Sequence, residues 1–375
     1  MKYDFLVVGS GFSGCVLAER IANQLDKKVL IVEKRDHIGG NCYDYYDEHG
    51  ILVHKYGPHL FHTKMQKVWE YLSQFTGWHP YEHKVLAVID DQTVPIPFNF
   101  NTIEKLFDKD KAQRLNSLLV QRYGEGKKIP ILKLMETDEP ELKELADYIY
   151  KKMFLGYNIK QWGFKPEELD FTVSSRVPVT LSRDNRYFHD KFQAIPKNGY
   201  TELFKKMTDH ENIDLVLNKD YKDVQNEVEF QKMIYTGEID YYYDFKLGKL
   251  PYRSLRFDLK NEKVEYFQDS TQVNYPNDHD YTRITEFKHC TGQVSNSTTI
   301  AYEYPEPYEF GKNDPYYPVP RDENHELFKQ YEELAANEKD VYFTGRLANY
   351  KYYNMDETVG VALQLFEKKI AKLYE

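Results

Sequence analysis

The sequence predicts an α/β fold in which a parallel sheet, assembled from distant segments, is interrupted by a helical insertion and a second, antiparallel sheet. Three observations carry this expectation. A glycine loop stands between two short apolar runs near the start of the chain. Two later apolar runs end in Thr236-Gly237 and Thr344-Gly345. The residues between alternate between helical spacing and strand-like stretches broken by Pro and Gly.

Taken in order, Tyr3-Asp4-Phe5-Leu6-Val7-Val8 is too short for a helix and ends at glycine. Gly9, Gly11, Phe12, Ser13 and Gly14 then give G-x-G-x-x-G, followed by Val16 to Ala22 at helical spacing. Val29-Leu30-Ile31-Val32 is a second strand, with Glu33 at its end. The glycines allow a tight turn and let the backbone approach a pyrophosphate, the helix N-terminus favours that anion, and the acid accepts from a ribose hydroxyl. This predicts a Rossmann-like dinucleotide site. Ile213–Leu217, Lys232–Gly237 and Val341–Arg346 read as further strands of the same sheet. A closing helix over Thr358–Leu373 presents Val361, Leu365, Phe366, Ile370 and Leu373. Residues 102–162 read as helical, with Glu139-Pro140 as a start and Leu142, Leu145, Ile149 and Met153 on one face. Residues 81–98, 172–195 and 245–320, rich in Tyr, Val, Thr and Phe, read as the antiparallel sheet. The expected domains are therefore 1–80, 196–244 and 336–375 for the nucleotide; 99–171 helical; and 81–98, 172–195 and 245–335 for the sheet and substrate.

Composition removes several function classes. The net charge of −10 disfavours a general nucleic-acid binder, which needs a basic surface. No apolar run approaches the roughly 20 residues of a membrane span, and the mean hydropathy is −0.71. No secretory leader is expected from the first residues. Cys15, Cys42 and Cys290 form no C-x-x-C, so neither zinc nor a disulfide framework is expected and a reducing cytoplasm fits. The 33 Tyr and 22 Phe suit stacking on bases and sugars, although most are expected in the core.

Lys34-Arg35-Asp36-His37-Ile38-Gly39-Gly40-Asn41 continues from the acid. Its Gly-Gly resembles the extended fingerprint of flavoproteins akin to amine oxidases, which implies FAD rather than NAD. Arg35 is then placed to pair with phosphate or cover adenine.

Further along, Tyr56-Gly57-Pro58-His59-Leu60-Phe61-His62-Thr63, Pro97-Phe98-Asn99, Gly156-Tyr157-Asn158-Ile159-Lys160-Gln161-Trp162-Gly163, Tyr252-Arg253-Ser254, Glu303-Tyr304-Pro305, Tyr316-Tyr317-Pro318 and Gly345-Arg346-Leu347 with Tyr350-Lys351-Tyr352 follow one another in order. Over essentially its whole length the chain resembles the bacterial type of the UDP-galactopyranose mutase family. The resemblance implies a cytoplasmic homodimer that interconverts UDP-galactopyranose and UDP-galactofuranose for cell-surface glycans. It implies reduced FAD as cofactor, a covalent flavin N5–sugar iminium, and a cellular reductant such as NAD(P)H. No net redox change results, consistent with the lack of a G-x-S-x-G or reactive-cysteine motif.

The same resemblance assigns residues. Arg176 and Arg253 match arginines on the diphosphate, Arg176 within a substrate lid over about residues 168–190; with His59 beside the flavin ring they form the catalytic set. Phe154 and Tyr157 match the uracil sandwich, with Asn158 where relatives often carry Thr. Trp162 matches a Trp at the lid, Tyr187, Tyr317 and Tyr352 match hydroxyls on phosphate, and Arg283 matches a site near substrate. His83 stands where some relatives carry Asn and is assigned to uridine. Arg346, Leu60, Asn354 and Met355 join Glu33, Lys34, Arg35, Gly39, Gly40 and Asn41 at the flavin; many relatives have Asp at position 354, so no carboxylate role is expected there. An oxidoreductase of amine-oxidase type shares the terminal flavin segments but needs no diphosphate grip. A flavin-binding scaffold without catalysis is the third reading.

Overall fold

The computed structural model describes residues 2–170 and 177–375. Five parallel strands form one sheet in the order Ile213–Val216, Val29–Val32, Lys2–Val8, Glu229–Tyr235, Val341–Phe343. All four residues of Val29–Val32 are buried, as expected where helices or loops cover both faces of a parallel sheet. The helix Phe12–Leu25 packs Val16, Leu17 and Ile21 against Phe5 and Val7, and the helices Tyr200–Thr208 and Met355–Leu365 complete that core. The four strands that bear motifs release the chain, at their C-terminal ends, into Gly9, Glu33, Thr236-Gly237 and Thr344-Gly345. A parallel sheet binds ligands at this edge.

Two features of the glycine loop require glycine. A Cβ on Gly14 would lie 1.9 Å from the Gly9 carbonyl oxygen, so the helix approaches the first strand closely only without a side chain. Gly9 has φ of +98°, and a Cβ there would meet Thr236 Oγ1 at 2.2 Å.

A seven-stranded sheet runs in the order Tyr317–Pro318, Tyr252–Glu262, Thr298–Pro307, Arg283–Glu286, Gln272–Asn274, Val85–Ile89, Gln92–Ile96. Its Gln272–Asn274 and Val85–Ile89 strands pair in parallel, so the sheet is mixed and not purely antiparallel. Of the three expected contributors, the described part of 172–195, residues 177–195, does not join it as a strand. Val179–Thr180 pairs with Lys128–Ile129, and Phe192–Pro196 lies between Phe61–Thr63 and Trp78–Pro80 in a separate three-stranded sheet. Alternation in the sequence shows that a segment is extended and is silent about its partner.

The helical insertion contains Phe100–Leu106, Lys109–Tyr123, Ile131–Met135 and Pro140–Ile149, with Pro140 at the first helical position. Leu142, Leu145, Ile149 and Met153 are buried together with Val85, Ile89, Val94 and Ile96, so this layer and the mixed sheet share one core. The last helix begins at Met355, earlier than expected, because Asn354 and Glu357 form a capping box. Its buried face is Val359, Ala362, Leu363, Phe366 and Ile370; Val361 and Leu365 are half-buried and Leu373 is exposed. Among the described residues no helix is long and apolar enough to cross a membrane.

Candidate active site

A cavity of about 580 Å³ opens at the C-terminal edge of the parallel sheet. Gly9, Gly11, Phe12, Ser13, Glu33, Lys34, Arg35, Gly39, Gly40 and Asn41 line it, with Gly345, Arg346 and Met355 from the C-terminal segment. Gly14 is not on its wall; it supports the wall by packing on Gly9. Glu33 is buried, and one of its oxygens accepts from the Ser10 N–H at 3.0 Å and the Ser10 hydroxyl at 2.8 Å. The carboxylate is thus held in place at the strand end. Arg35 donates to Asp314 at 2.8 Å and to Asn41 at 2.9 Å, and lies 4.4 Å from the centre of the Tyr56 ring. Its fork is occupied by a carboxylate from the loop after Thr298–Pro307, which the sequence reading did not anticipate. Asp220, Tyr221, Glu238 and Tyr308 complete the far end, and no motif pointed to them.

A second cavity, of about 760 Å³, adjoins the first, and Asn41, His59, Arg346 and Met355 line both. It lies between the helical insertion, the mixed sheet and the C-terminal segment. Tyr150–Leu155 is a π-helical turn continued by the helix Gly156–Trp162, and together they present Phe154, Tyr157, Asn158, Gln161 and Trp162. Such turns frequently occur at functional sites. Asn158 donates to the Phe154 carbonyl at 2.8 Å. The opposite wall holds Arg283 and Glu303 from the sheet, His83 just before its Val85–Ile89 strand, Tyr187 and Phe188 from the loop before Phe192–Pro196, and Leu60. Tyr317 and Tyr352 stack with centres 5.0 Å apart, and Trp162 lies 5.9 Å from Tyr317. The Arg346 guanidinium sits over Tyr317 and Tyr352 at 5.7 and 5.1 Å and donates to the Tyr353 carbonyl at 2.6 Å. Asn354 lines this cavity as well as capping the last helix.

The charged centre of the second cavity is Arg283. It is half-buried, forms an ion pair with the buried Glu303 at 3.1 Å and donates to the Tyr157 hydroxyl. Burial works against its charge, but Glu303 and the surrounding tyrosines outweigh that and hold its pKa above the usual range. Burial pushes the Glu303 carboxyl up while Arg283 pulls it down. The guanidinium does not lose its proton in either case. Burial lowers the pKa of both His59 and His83 to about 3, so both rings are neutral at ordinary pH. His59 donates from Nδ1 to the Gly57 carbonyl at 2.9 Å, which leaves Nε2 as an acceptor. Its own N–H bonds His54 Nδ1 at 3.0 Å.

Of the two arginines expected on the diphosphate, one is described by the structure. Arg253 does not line either cavity in this structure. Its guanidinium donates to the Gln161 carbonyl at 2.8 Å and the Lys160 carbonyl at 3.1 Å, at the end of the helix Gly156–Trp162, where a cation is favoured. Arg176 lies outside the described residues, as does the 171–176 part of the expected lid. Within the described part, Arg183 pairs with Glu104 and Arg186 with Asp184, so these charges are taken up by local carboxylates. The sequence reading also missed Glu303, although it lies in a quoted motif, and Phe188, whose ring stacks on His62 at 3.6 Å.

Comparison with known proteins agrees with the geometry. Residues 152–352 match the family model described as UDP-galactopyranose mutase, and residues 7–75 match that of an NAD(P)-binding Rossmann-like domain. A probable UDP-galactopyranose mutase from Klebsiella pneumoniae is 36% identical over 99% of this chain and 95% of its own length. A dTDP-fucopyranose mutase from Escherichia coli is 34% identical over 96% of each. A solved structure of reduced UDP-galactopyranose mutase superposes with a TM-score of 0.74 at 16% identity, covering 100% of this chain and 95% of the other. The glycine-built cavity, the aromatic and arginine cavity joined to it, and full-length identity well above 30% agree that this chain belongs to the UDP-galactopyranose mutase family.

Proposed function

We propose that this protein is an FAD-dependent isomerase that interconverts UDP-galactopyranose and UDP-galactofuranose without net redox change, supplying galactofuranose for cell-surface glycans. The observation that carries this reading is the junction of the two cavities at Asn41, His59, Arg346 and Met355. A dinucleotide on the glycine loop and a nucleotide sugar on the aromatic wall meet there.

The first cavity fits FAD on the chemistry of its donors. Side-chain-free Gly9 and Gly11 leave room for a pyrophosphate at the start of Phe12–Leu25, and Glu33 is fixed to receive a ribose hydroxyl. Reduced flavin supplies a nucleophilic ring nitrogen and recovers it unchanged, so a sugar can leave UDP, open, reclose and return.

The chain's own residues do the rest. Phe154 and Tyr157 hold the base, and Asn158 and His83 contact uridine. Arg283, Tyr187, Tyr317 and Tyr352 surround the diphosphate with positive charge and hydroxyls, which a chain of net charge −10 must concentrate locally. His59, neutral and fixed by Gly57 and His54, offers an acceptor at the junction without adding charge. Arg176 and Arg253 are assigned to the departing diphosphate; Arg253 must release the Lys160 and Gln161 carbonyls to reach it. Trp162 shields the site on the lid side. The domain division 1–80, 196–244 and 336–375 around the helical and sheet parts belongs to this reading. So do a homodimeric state, a cytoplasmic setting and a reductant such as NAD(P)H, which rest on the family resemblance.

The test is to incubate dithionite-reduced protein with UDP-galactofuranose or dTDP-fucofuranose and follow the products by chromatography. Conversion of the UDP-sugar to its pyranose, faster than that of the dTDP-sugar, supports the reading. An oxidised sugar product, preference for the dTDP-sugar, or no turnover overturns it.

A further inference from the structure

The segment between Gln272–Asn274 and Arg283–Glu286 forms part of the wall opposite the base-gripping helix, and the two are fastened by a residue with no assigned role. Lys160 extends from the helix Gly156–Trp162 and donates to three backbone carbonyls of that segment: Tyr275 at 2.7 Å, Asn277 at 3.2 Å and Tyr281 at 3.3 Å. An ammonium group has three donors, and all three are used on the backbone. Burial lowers its pKa, with Asp278 and Asp280 acting in the opposite direction.

The helix, with the π-helical turn before it, touches the loop at three other places. Gly156 lets the backbones come together; a Cβ there would lie 2.6 Å from the Pro276 carbonyl oxygen and 2.7 Å from Asn277 Oδ1. Asn277 donates to the Lys152 carbonyl at 2.9 Å, behind the π-helical turn that carries Phe154. Arg283, at the far end of the loop, donates to the Tyr157 hydroxyl. The loop closes on itself through Tyr275 N–H to the Thr282 carbonyl at 2.8 Å and the stacking of His279 on Tyr281 at 4.7 Å. The cavity face of this joint bears Phe154, Tyr157, Asn274, Pro276 and Arg283. The side away from the substrate is held by Lys160.

We infer that Lys160 is a positioning residue for nucleotide recognition: its clamp on the Tyr275, Asn277 and Tyr281 carbonyls sets the spacing between the aromatic residues that hold the base and the sheet wall that carries Arg283. The inference rests on the proposed UDP-sugar function and extends it to a residue that touches no substrate. Without the ammonium, three carbonyls lose their shared donor and the loop is free to separate from the helix. The binding geometry of the base is then lost, while the bond-making end of the cavity, at His59 and Arg346, is untouched. The clamp therefore acts on ground-state binding more than on turnover.

The test uses flavin-loaded holoenzyme and UDP as probe. Calorimetric titration of wild type with UDP checks the proposed function separately: absence of UDP binding there overturns that function, whatever Lys160 does. For Lys160→Met, which keeps the stem and removes the donors, the UDP dissociation constant and the KM for UDP-galactofuranose are expected to rise at least about tenfold, equivalent to about 1.4 kcal/mol. Turnover at saturation should stay within about threefold and flavin content should be unchanged. Lys160→Arg should recover part of the affinity. Unchanged UDP affinity in Lys160→Met, or lost turnover with unchanged affinity, overturns the inference. Should Lys160→Met fail to fold with flavin, Asn277→Ala decides the matter: weaker UDP binding with kept turnover supports the joint, and unchanged binding overturns it.

Discussion

The cavity on the cofactor side carries Gly9, Gly11, Gly39, Gly40 and Gly345 in its wall, so at those positions a ligand meets backbone. The cavity beside it is lined by the side chains of His83, Phe154, Tyr157, Trp162, Arg283, Tyr317 and Tyr352, drawn from elements spread over most of the chain. The first depends on what is missing from its walls, and the second on what projects from them. A backbone-built site is therefore broken by adding atoms. A side-chain-built site is broken by removing them, one contribution at a time.

The sharpest way to break that contrast is to add a single methyl group. Gly14→Ala places a Cβ at 1.9 Å from the Gly9 carbonyl oxygen, and the backbone must move. FAD affinity, measured from flavin absorbance retained after gel filtration, is expected to fall at least about 100-fold, equivalent to about 2.8 kcal/mol. Retention of full flavin would show that the loop tolerates bulk and that the backbone argument is wrong.

On the other side, Arg283→Ala should act on substrate and leave flavin content near normal. A hydrogen bond to a charged group contributes roughly 1.5–3 kcal/mol, and this change also strands Glu303. The value of kcat/KM should fall about 100-fold. Arg253→Ala and Arg176→Ala should each lower kcat at least about tenfold, equivalent to about 1.4 kcal/mol, and Lys at either place should rescue only in part. Arg253 sharpens the comparison further. If it serves only as the cap of Gly156–Trp162 seen here, Arg253→Ala will raise KM and leave kcat intact.

The smallest expected effect is on stability against acid. His83 is buried and neutral in the folded protein, with its pKa lowered by burial to about 3, and an unfolded histidine titrates near 6.5. The unfolded chain thus binds the extra proton between those values. The contribution is complete above about pH 6.5 and is lost as pH falls toward 3. His54, lowered by burial to about 4, acts in the same direction. The melting temperature of His83→Gln should therefore fall less between pH 7 and pH 5 than that of the wild type, by a few degrees. Equal slopes would place His83 in a wetter setting than its burial indicates.

This division also accounts for what was legible in the sequence. The parallel sheet could be read because its signals are contiguous: apolar run, glycine loop, helix, apolar run, acid. The helical insertion could be read from Pro140 and the spacing Leu142, Leu145, Ile149, Met153. Pairing between strands could not. Residues 177–195 are extended in part, yet Phe192–Pro196 found its partners at Phe61–Thr63 and Trp78–Pro80, because register depends on surfaces far away in sequence. The substrate wall was reached through resemblance, residue by residue. What remained illegible was state and company: Arg253 rests on helix carbonyls, Arg35 is held by Asp314, and Arg283 is matched by a buried Glu303. Sequence identifies an arginine; only the fold shows which anion or carbonyl it holds.

On the proposed function, the two cavities work as one site through reduced flavin in a reaction that consumes no electrons. The most direct measurement compares initial rates of UDP-galactofuranose conversion by the same preparation with its flavin air-oxidised and with it reduced by dithionite under anaerobic conditions, recording the flavin spectrum before and after. Turnover is expected to be at least about 100-fold faster in the reduced form, a difference of about 2.8 kcal/mol in barrier, with the flavin still reduced at the end. Equal rates in the two forms, or flavin oxidised in step with product, would contradict it.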